Sequence, residues 1–157
     1  MVKTLAEGDP APEIELPADG GASFSLAALK GRKVAVYFYP KDDTPGCTAE
    51  AIDFSALRDA FAAADTEVVG ISTDSARSHD AFKNKHSLGL TLAADEEKNV
   101  VQAYGVWGEK SMYGRTFMGV VRSTFLIDRQ GRIARIWRKV KVTGHAAEVL
   151  KAARALA

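Results

Sequence analysis

The sequence predicts an α/β fold built on a mixed β-sheet. Two patterns carry this. Short apolar runs at 34–39, 68–72 and 90–92 alternate with segments of helical period, as parallel strands joined by crossover helices do. Two further strand-like runs, 125–127 and 133–137, are separated only by the turn Asp128-Arg129-Gln130-Gly131, so they pair antiparallel and close the sheet. A length of 157 residues suits one domain spanning 1–157.

The elements follow in order. Glu13-Ile14-Glu15-Leu16 alternates, Asp19-Gly20-Gly21 turns, and Phe24 and Leu26 follow with period two; this reads as an N-terminal β-hairpin over 10–26. Lys30-Gly31-Arg32 is a second turn. The run 34–39 is apolar on both faces, as a central strand covered on both sides must be, and Pro40 ends it. Residues 40–46 form a loop rich in breakers. Helical spacing then runs to about residue 64, with Phe54, Leu57 and Phe61 on one face. After the strand 68–72, Asp74 or Ser75 caps a helix that reaches His86. After 90–92, Asp95 reads as an N-cap, Glu96 and Glu97 favour a first helical turn, and Gly105 ends that helix. A last helix begins near Thr143-Gly144 and buries Val149, Leu150 and Ala153. The order is hairpin, β, α, β, α, β, α, β, β, α, with no element assigned to 107–120.

Composition narrows the function classes. Hydrophobic residues are 46% and charged residues 26%, the balance of a folded globular chain. The longest strongly apolar run has six residues, far short of a membrane span. Residues 1–10 lack a basic patch followed by an apolar core, so no secretory signal is read and a cytoplasmic location is the default. The net charge is +1, but unevenly spread: residues 110–141 hold nine Lys/Arg against one Asp, a local +8, and the remainder balances at −7. Such a split marks an anion-binding face, a nucleic-acid surface or a solvated basic edge; aromatics do not interleave with these cations as a nucleic-acid stacking platform requires, and the solvated edge is the favoured reading. His79 and His86 lie seven apart and His145 stands alone, which is not metal-ligand spacing. No glycine-rich phosphate loop or dinucleotide fingerprint appears, and no bound cofactor is expected.

The informative residue is Cys47, the one cysteine. Alone it cannot form an internal disulfide or a dithiol redox pair, so redox chemistry here requires an outside partner. A lone cysteine can be merely a small buried hydrophobe. Cys47, however, follows a strand and a breaker loop and opens a helix, where free N–H groups and the macrodipole favour the thiolate over the thiol.

The surrounding stretch, Tyr39-Pro40-Lys41-Asp42-Asp43-Thr44-Pro45-Gly46-Cys47-Thr48-Ala49-Glu50, resembles the peroxiredoxins, and within them the bacterioferritin-comigratory or peroxiredoxin Q group. Their Pro-x-x-x-Thr-x-x-Cys pattern is met by Pro40, Thr44 and Cys47. The likeness extends to Gly8-Asp9-Pro10-Ala11-Pro12, Val106-Trp107-Gly108-Glu109-Lys110, Met112-Tyr113-Gly114 and Arg122-Ser123-Thr124-Phe125-Leu126-Ile127-Asp128, nearly the whole chain. The resemblance implies a thioredoxin-like fold and a thiol-dependent peroxidase acting on hydrogen peroxide and organic hydroperoxides. It also implies roles: Cys47 as the attacking thiolate, Thr44 as hydrogen-bond partner of the peroxide, Pro40 as a wall against bulk water, Arg122 as the cation holding thiolate and peroxide, and Glu50 as the group orienting Arg122. A monomer or weak dimer is the implied assembly.

The chemistry explains why such groups are needed. An ordinary thiol is about 3% ionised at neutral pH, so complete ionisation gains only about thirtyfold in rate. The larger share must come from placing the peroxide in line and aiming donors at the charge that moves onto the leaving oxygen. Two positions where relatives carry a resolving cysteine hold Ile52 and Lys83 instead. A one-cysteine mechanism is therefore expected, with a sulfenic acid resolved by an external thiol such as thioredoxin, glutaredoxin or a small thiol. A dithiol reductase would need Cys-x-x-Cys, and Thr44 occupies the first of those positions.

Overall fold

The computed structural model describes residues 5–157. In chain order the elements are β1 (Glu15–Pro17), β2 (Ser23–Ser25), β3 (Lys33–Phe38), α1 (Pro45–Ala56), α2 (Arg58–Ala63), β4 (Thr66–Ser72), α3 (Ala76–His86), β5 (Thr91–Ala94), α4 (Asn99–Ala103), β6 (Trp107–Met112), β7 (Arg115–Val120), β8 (Ser123–Ile127), β9 (Ile133–Arg138) and α5 (His145–Ala155). The part of the signal-peptide reading that rests on residues 1–4 lies outside the described residues.

All six residues of β3 are buried, as its unbroken apolar run requires. The sheet order is β5-β4-β3-β8-β9. β3 pairs parallel with β4 and antiparallel with β8; β4 and β5 are parallel, β8 and β9 antiparallel. This is the mixed α/β sheet expected, in a thioredoxin-like arrangement. Successive side chains of a strand point to opposite faces. Val34, Val36 and Phe38 accordingly face one core with α4 and the β1–β2 hairpin, through Ile14, Phe24, Val101 and Tyr104. Ala35, Tyr37 and Tyr39 face the other, with Phe54 and Phe61 and with Val149 and Leu150 of α5. The reactive region belongs to this second layer.

Three expectations are corrected. The helix read as continuous to residue 64 breaks at Leu57 (φ −98°, ψ 5°), whose N–H bonds back three residues to Phe54 as well as marking the end of α1. α4 begins at Asn99, four residues after Asp95, although the Asp95 carboxylate still accepts from the Val101 N–H at 2.8 Å. Residues 107–120, assigned no element, form a separate antiparallel hairpin, β6 with β7, turning at Tyr113 and Gly114 with φ of 52° and 75°. No helix among the described residues is long and apolar enough to cross a membrane.

Candidate active site

Strand β3 ends at Phe38, and the loop 40–44 carries the chain over the sheet edge to the N-terminus of α1. Thr44 is the N-cap residue, Pro45 the first helical residue, and Cys47 the third. Proline suits this position because its missing N–H would have no partner there anyway. The first backward bond of the helix runs from the Thr48 N–H to the Thr44 carbonyl at 2.8 Å, and the Thr44 side chain makes no cap bond. The Gly46 and Cys47 N–H groups thus remain without a protein partner among the described residues, and they present the positive end of α1 beside the sulfur.

Arg122 arrives from the other side of β3, immediately before β8, whose Ser123 pairs with Phe38. Its two amino groups divide between two acids. Nη1 donates to Glu50 Oε1 at 2.6 Å and Nη2 donates to Cys47 Sγ at 3.4 Å. The guanidinium lies across Gly46, where a Cβ would sit 3.2 Å from Nη2. Residues three apart share a helix face, which sets Cys47 and Glu50 side by side toward the same cation. Burial works against the Arg122 charge, but Glu50 and Cys47 outweigh it and hold its pKa above the usual arginine value. Burial pushes the Glu50 carboxyl up to about 7, against the opposing pull of Arg122. Cys47 and Glu50 are each only 1% exposed.

Of the five residues singled out from the sequence, three meet directly: Cys47, Glu50 and Arg122. The Thr44 hydroxyl donates to the Lys41 carbonyl at 2.8 Å, which leaves its oxygen lone pairs free to accept. Pro40 is half-buried between β3 and the loop. The lone cysteine is thus enclosed in the second core layer, yet the Arg122 guanidinium touches it.

A second buried cluster, not anticipated, ties the loop down. Asp42 accepts from the Tyr39 hydroxyl at 2.5 Å and the Ser78 hydroxyl at 2.8 Å, and its Oδ2 lies 2.7 Å from His79 Nδ1. His79 Nε2 lies 2.9 Å from the Ala93 carbonyl, which can only accept, so that nitrogen carries a proton. Burial works against the His79 charge, but the bond to Asp42 and its negative charge prevail and raise the pKa. The Asp42 N–H donates to Asp74 at 2.8 Å. Asp43, in the left-handed region at φ 60°, pairs with Lys85 and His86 at the end of α3. The sequence signal was there, breakers beside acids and a histidine at the start of a helix, but nothing in the spacing joins residues 37 positions apart.

The basic segment is largely spent on structure. Arg129 pairs with Asp65, Arg132 donates to the Gly8 carbonyl, Arg138 to the Leu5 carbonyl, and Arg135 stacks over Trp137 at 4.5 Å. Lys110 and Arg115 lie on the β6–β7 hairpin, beside the exposed side chains of Met112, Tyr113, Phe117 and Met118.

Comparison with known proteins places this geometry. The model of the AhpC/TSA family matches residues 7–136. Peroxiredoxin Bcp of Bacillus subtilis is 46% identical over 148 residues, covering 94% of each chain. Peroxiredoxin Bcp of Escherichia coli is 41% identical over 141 residues, covering 90% of each. Among solved structures, Xylella fastidiosa PrxQ superposes with a TM-score of 0.92 at 36% identity and covers 98% of both chains. The Xanthomonas campestris bacterioferritin comigratory protein, described for its alkyl peroxide reduction activity, superposes with a TM-score of 0.86 at 43% identity over 90% of both. With a cysteine at the mouth of α1, a guanidinium upon it and relatives covering nine-tenths or more of the chain, the chain belongs to the AhpC/TSA family and is a peroxiredoxin of the Bcp/peroxiredoxin Q type, a thiol-dependent peroxidase.

Proposed function

We propose that Cys47 is the peroxidatic nucleophile of this enzyme and that it works as a one-cysteine peroxiredoxin. The observation that carries the reading is the divided guanidinium of Arg122, 3.4 Å from Cys47 Sγ on one amino group and 2.6 Å from Glu50 on the other. The Cys47 thiolate attacks the terminal oxygen of the peroxide, the O–O bond breaks, and the leaving oxygen departs as water or alcohol once protonated. The sulfur is left as sulfenic acid. An external thiol then attacks that sulfur and releases water, and a second thiol frees Cys47 as the first leaves in a disulfide.

Each neighbour has a task. Arg122 keeps its charge throughout and offers fixed donors, one to the thiolate and, as the O–O bond lengthens, to the oxygen gaining charge. Glu50 fixes the direction of that fork. The free lone pairs of Thr44 accept the peroxide O–H and set the other oxygen in line with the sulfur. Pro40 excludes water from one side. Similarity to the Xanthomonas protein supports alkyl hydroperoxides as substrates beside hydrogen peroxide. The reductant is thioredoxin, glutaredoxin or a small thiol. The chain acts as one domain, a monomer or weak dimer in the cytoplasm, without nucleic acid, membrane, metal or bound cofactor.

The test is competitive peroxide consumption by the reduced protein, with mass spectrometry of Cys47. Cys47→Ser abolishes consumption. Thr44→Val and Arg122→Ala each slow it by about two orders of magnitude or more. Reaction of both variants at the parent rate would remove their assigned roles. Without thiol, excess peroxide adds further oxygens to Cys47; a mass that stops at one oxygen contradicts over-oxidation of the unresolved sulfenate.

A further inference from the structure

The reaction needs a proton for the leaving oxygen, and the site holds one cation between two acids. Nη1 and Nη2 of Arg122 contact Glu50 and Cys47, and both acids are 1% exposed. If both were ionised, the buried trio would carry a net negative charge without water to solvate it. The surrounding groups do not relieve this. Asp53 on α1 adds negative charge, and the Tyr37 phenol on β3 is held neutral by burial. His145 on α5 is held neutral by burial, which pushes its pKa down to about 4. Lys110 on β6 is positive but donates to the Val120 carbonyl at 3.0 Å and touches neither acid.

Glu50 itself shows where the proton belongs. Oε1 is engaged with Arg122, whereas Oε2 is enclosed and has no hydrogen-bond partner. A buried carboxylate normally collects several donors, and a single donor on one oxygen suits the neutral acid better. A protonated Oε2 is a donor without an acceptor, and a peroxide drawn to the guanidinium supplies one.

We infer that Cys47 and Glu50 share a single proton, that in the reactive form it sits on Glu50 Oε2, and that Glu50 delivers it to the leaving oxygen. The step balances. Sulfur forms a bond to the terminal oxygen, the O–O bond breaks, the leaving oxygen takes the Glu50 proton, and sulfenic acid, alcohol or water and a Glu50 carboxylate result. The peroxide is reduced and the sulfur oxidised by two electrons, with no proton drawn from solvent. The new carboxylate inherits Arg122 as the thiolate charge is consumed, so the trio keeps the same net charge. This rests on Cys47 being the nucleophile.

At neutral pH, near the value of about 7 to which burial raises it, the carboxyl should be more protonated beside the thiolate than after oxidation. Reaction-induced infrared difference spectra, with thiolate absorbance followed in parallel, should show the thiolate and one protonated-carboxyl stretch disappear together as a carboxylate appears. An indicator dye should register close to no proton uptake per sulfenate in the parent and about one in Glu50→Gln, where the reaction still forms sulfenate but the donor is gone. Should Glu50→Gln fail to fold, Cys47→Ser serves: without the thiolate its Glu50 is more ionised at that pH, and the protonated-carboxyl stretch is weaker than in the parent. Uptake of one proton per sulfenate by the parent, with no carboxyl change, overturns the inference while leaving Cys47 as nucleophile. Equal uptake in parent and Glu50→Gln overturns it as well. Absence of sulfenate in the parent defeats the underlying reading instead.

Discussion

Two buried ionic clusters flank the loop 40–46, and they are built to opposite rules. In the Asp42–His79 cluster every polar atom is answered: both carboxylate oxygens accept, both ring nitrogens are engaged, and Tyr39 and Ser78 complete the set. In the Cys47–Glu50–Arg122 cluster one oxygen has no partner and one cation serves two acids. A satisfied network costs little to keep and resists change, so it positions. An unsatisfied one stores reactivity. The first cluster holds still the loop whose end the second uses.

Substitutions can separate the two. The largest effect is expected for Arg122→Ala, which slows Cys47 oxidation about 10²–10³-fold in stopped-flow assays but leaves the fold intact, because a Glu50 that holds its proton leaves no buried carboxylate stranded when the cation goes. Asp42→Asn should behave in the opposite sense. It strands the His79 charge and lowers unfolding free energy in urea by about 3 kcal/mol, with a smaller loss of rate. If Asp42→Asn proved as stable as the parent, the anchoring role would be wrong.

Glu50→Gln comes next and carries a sign. The folded carboxyl binds its proton more tightly than an ordinary glutamate, about 7 against 4.5. Its favourable contribution is therefore complete below about 4.5 and is lost as pH rises through about 7, where the buried charge opposes folding. The glutamine variant should be more stable than the parent above neutral pH, on the order of 2 kcal/mol, and that gain should vanish in acid. The smallest effect belongs to His79. Its raised pKa means that stability is present in full below the ordinary value of 6.5 and declines as pH rises through the folded value. His79→Gln should remove this slope from the denaturation midpoint measured against pH.

The contrast also explains what the amino-acid order could reveal. Strand β3 was legible because six consecutive buried residues leave no other reading of a short apolar run. Cys47, Thr44 and Pro40 stand in one local pattern, and a helix start at Pro45 follows from local sterics, since proline suits the first helical position. The meeting of Arg122 with Cys47 required a motif 75 residues downstream to be brought back by the β3–β8 pairing. The Asp42–His79 pair had no such motif to announce it, and a histidine on a polar helix looks the same whether it is solvated or locked. The β6–β7 hairpin escaped because most of its residues are exposed or half-exposed, so no face imposes a period of two on the pattern. The break at Leu57 escaped because apolar spacing continues across it.

Gly46 has a consequence of its own. A methyl group there would stand 3.2 Å from the guanidinium nitrogen that reaches the sulfur, close enough to nudge a flexible side chain without evicting it. The absent methyl thus works as a spacer of fixed thickness between helix and cation. Adding it would oblige that guanidinium to give by a few tenths of an ångström, so the seat of the cation is set by an atom that never meets the substrate.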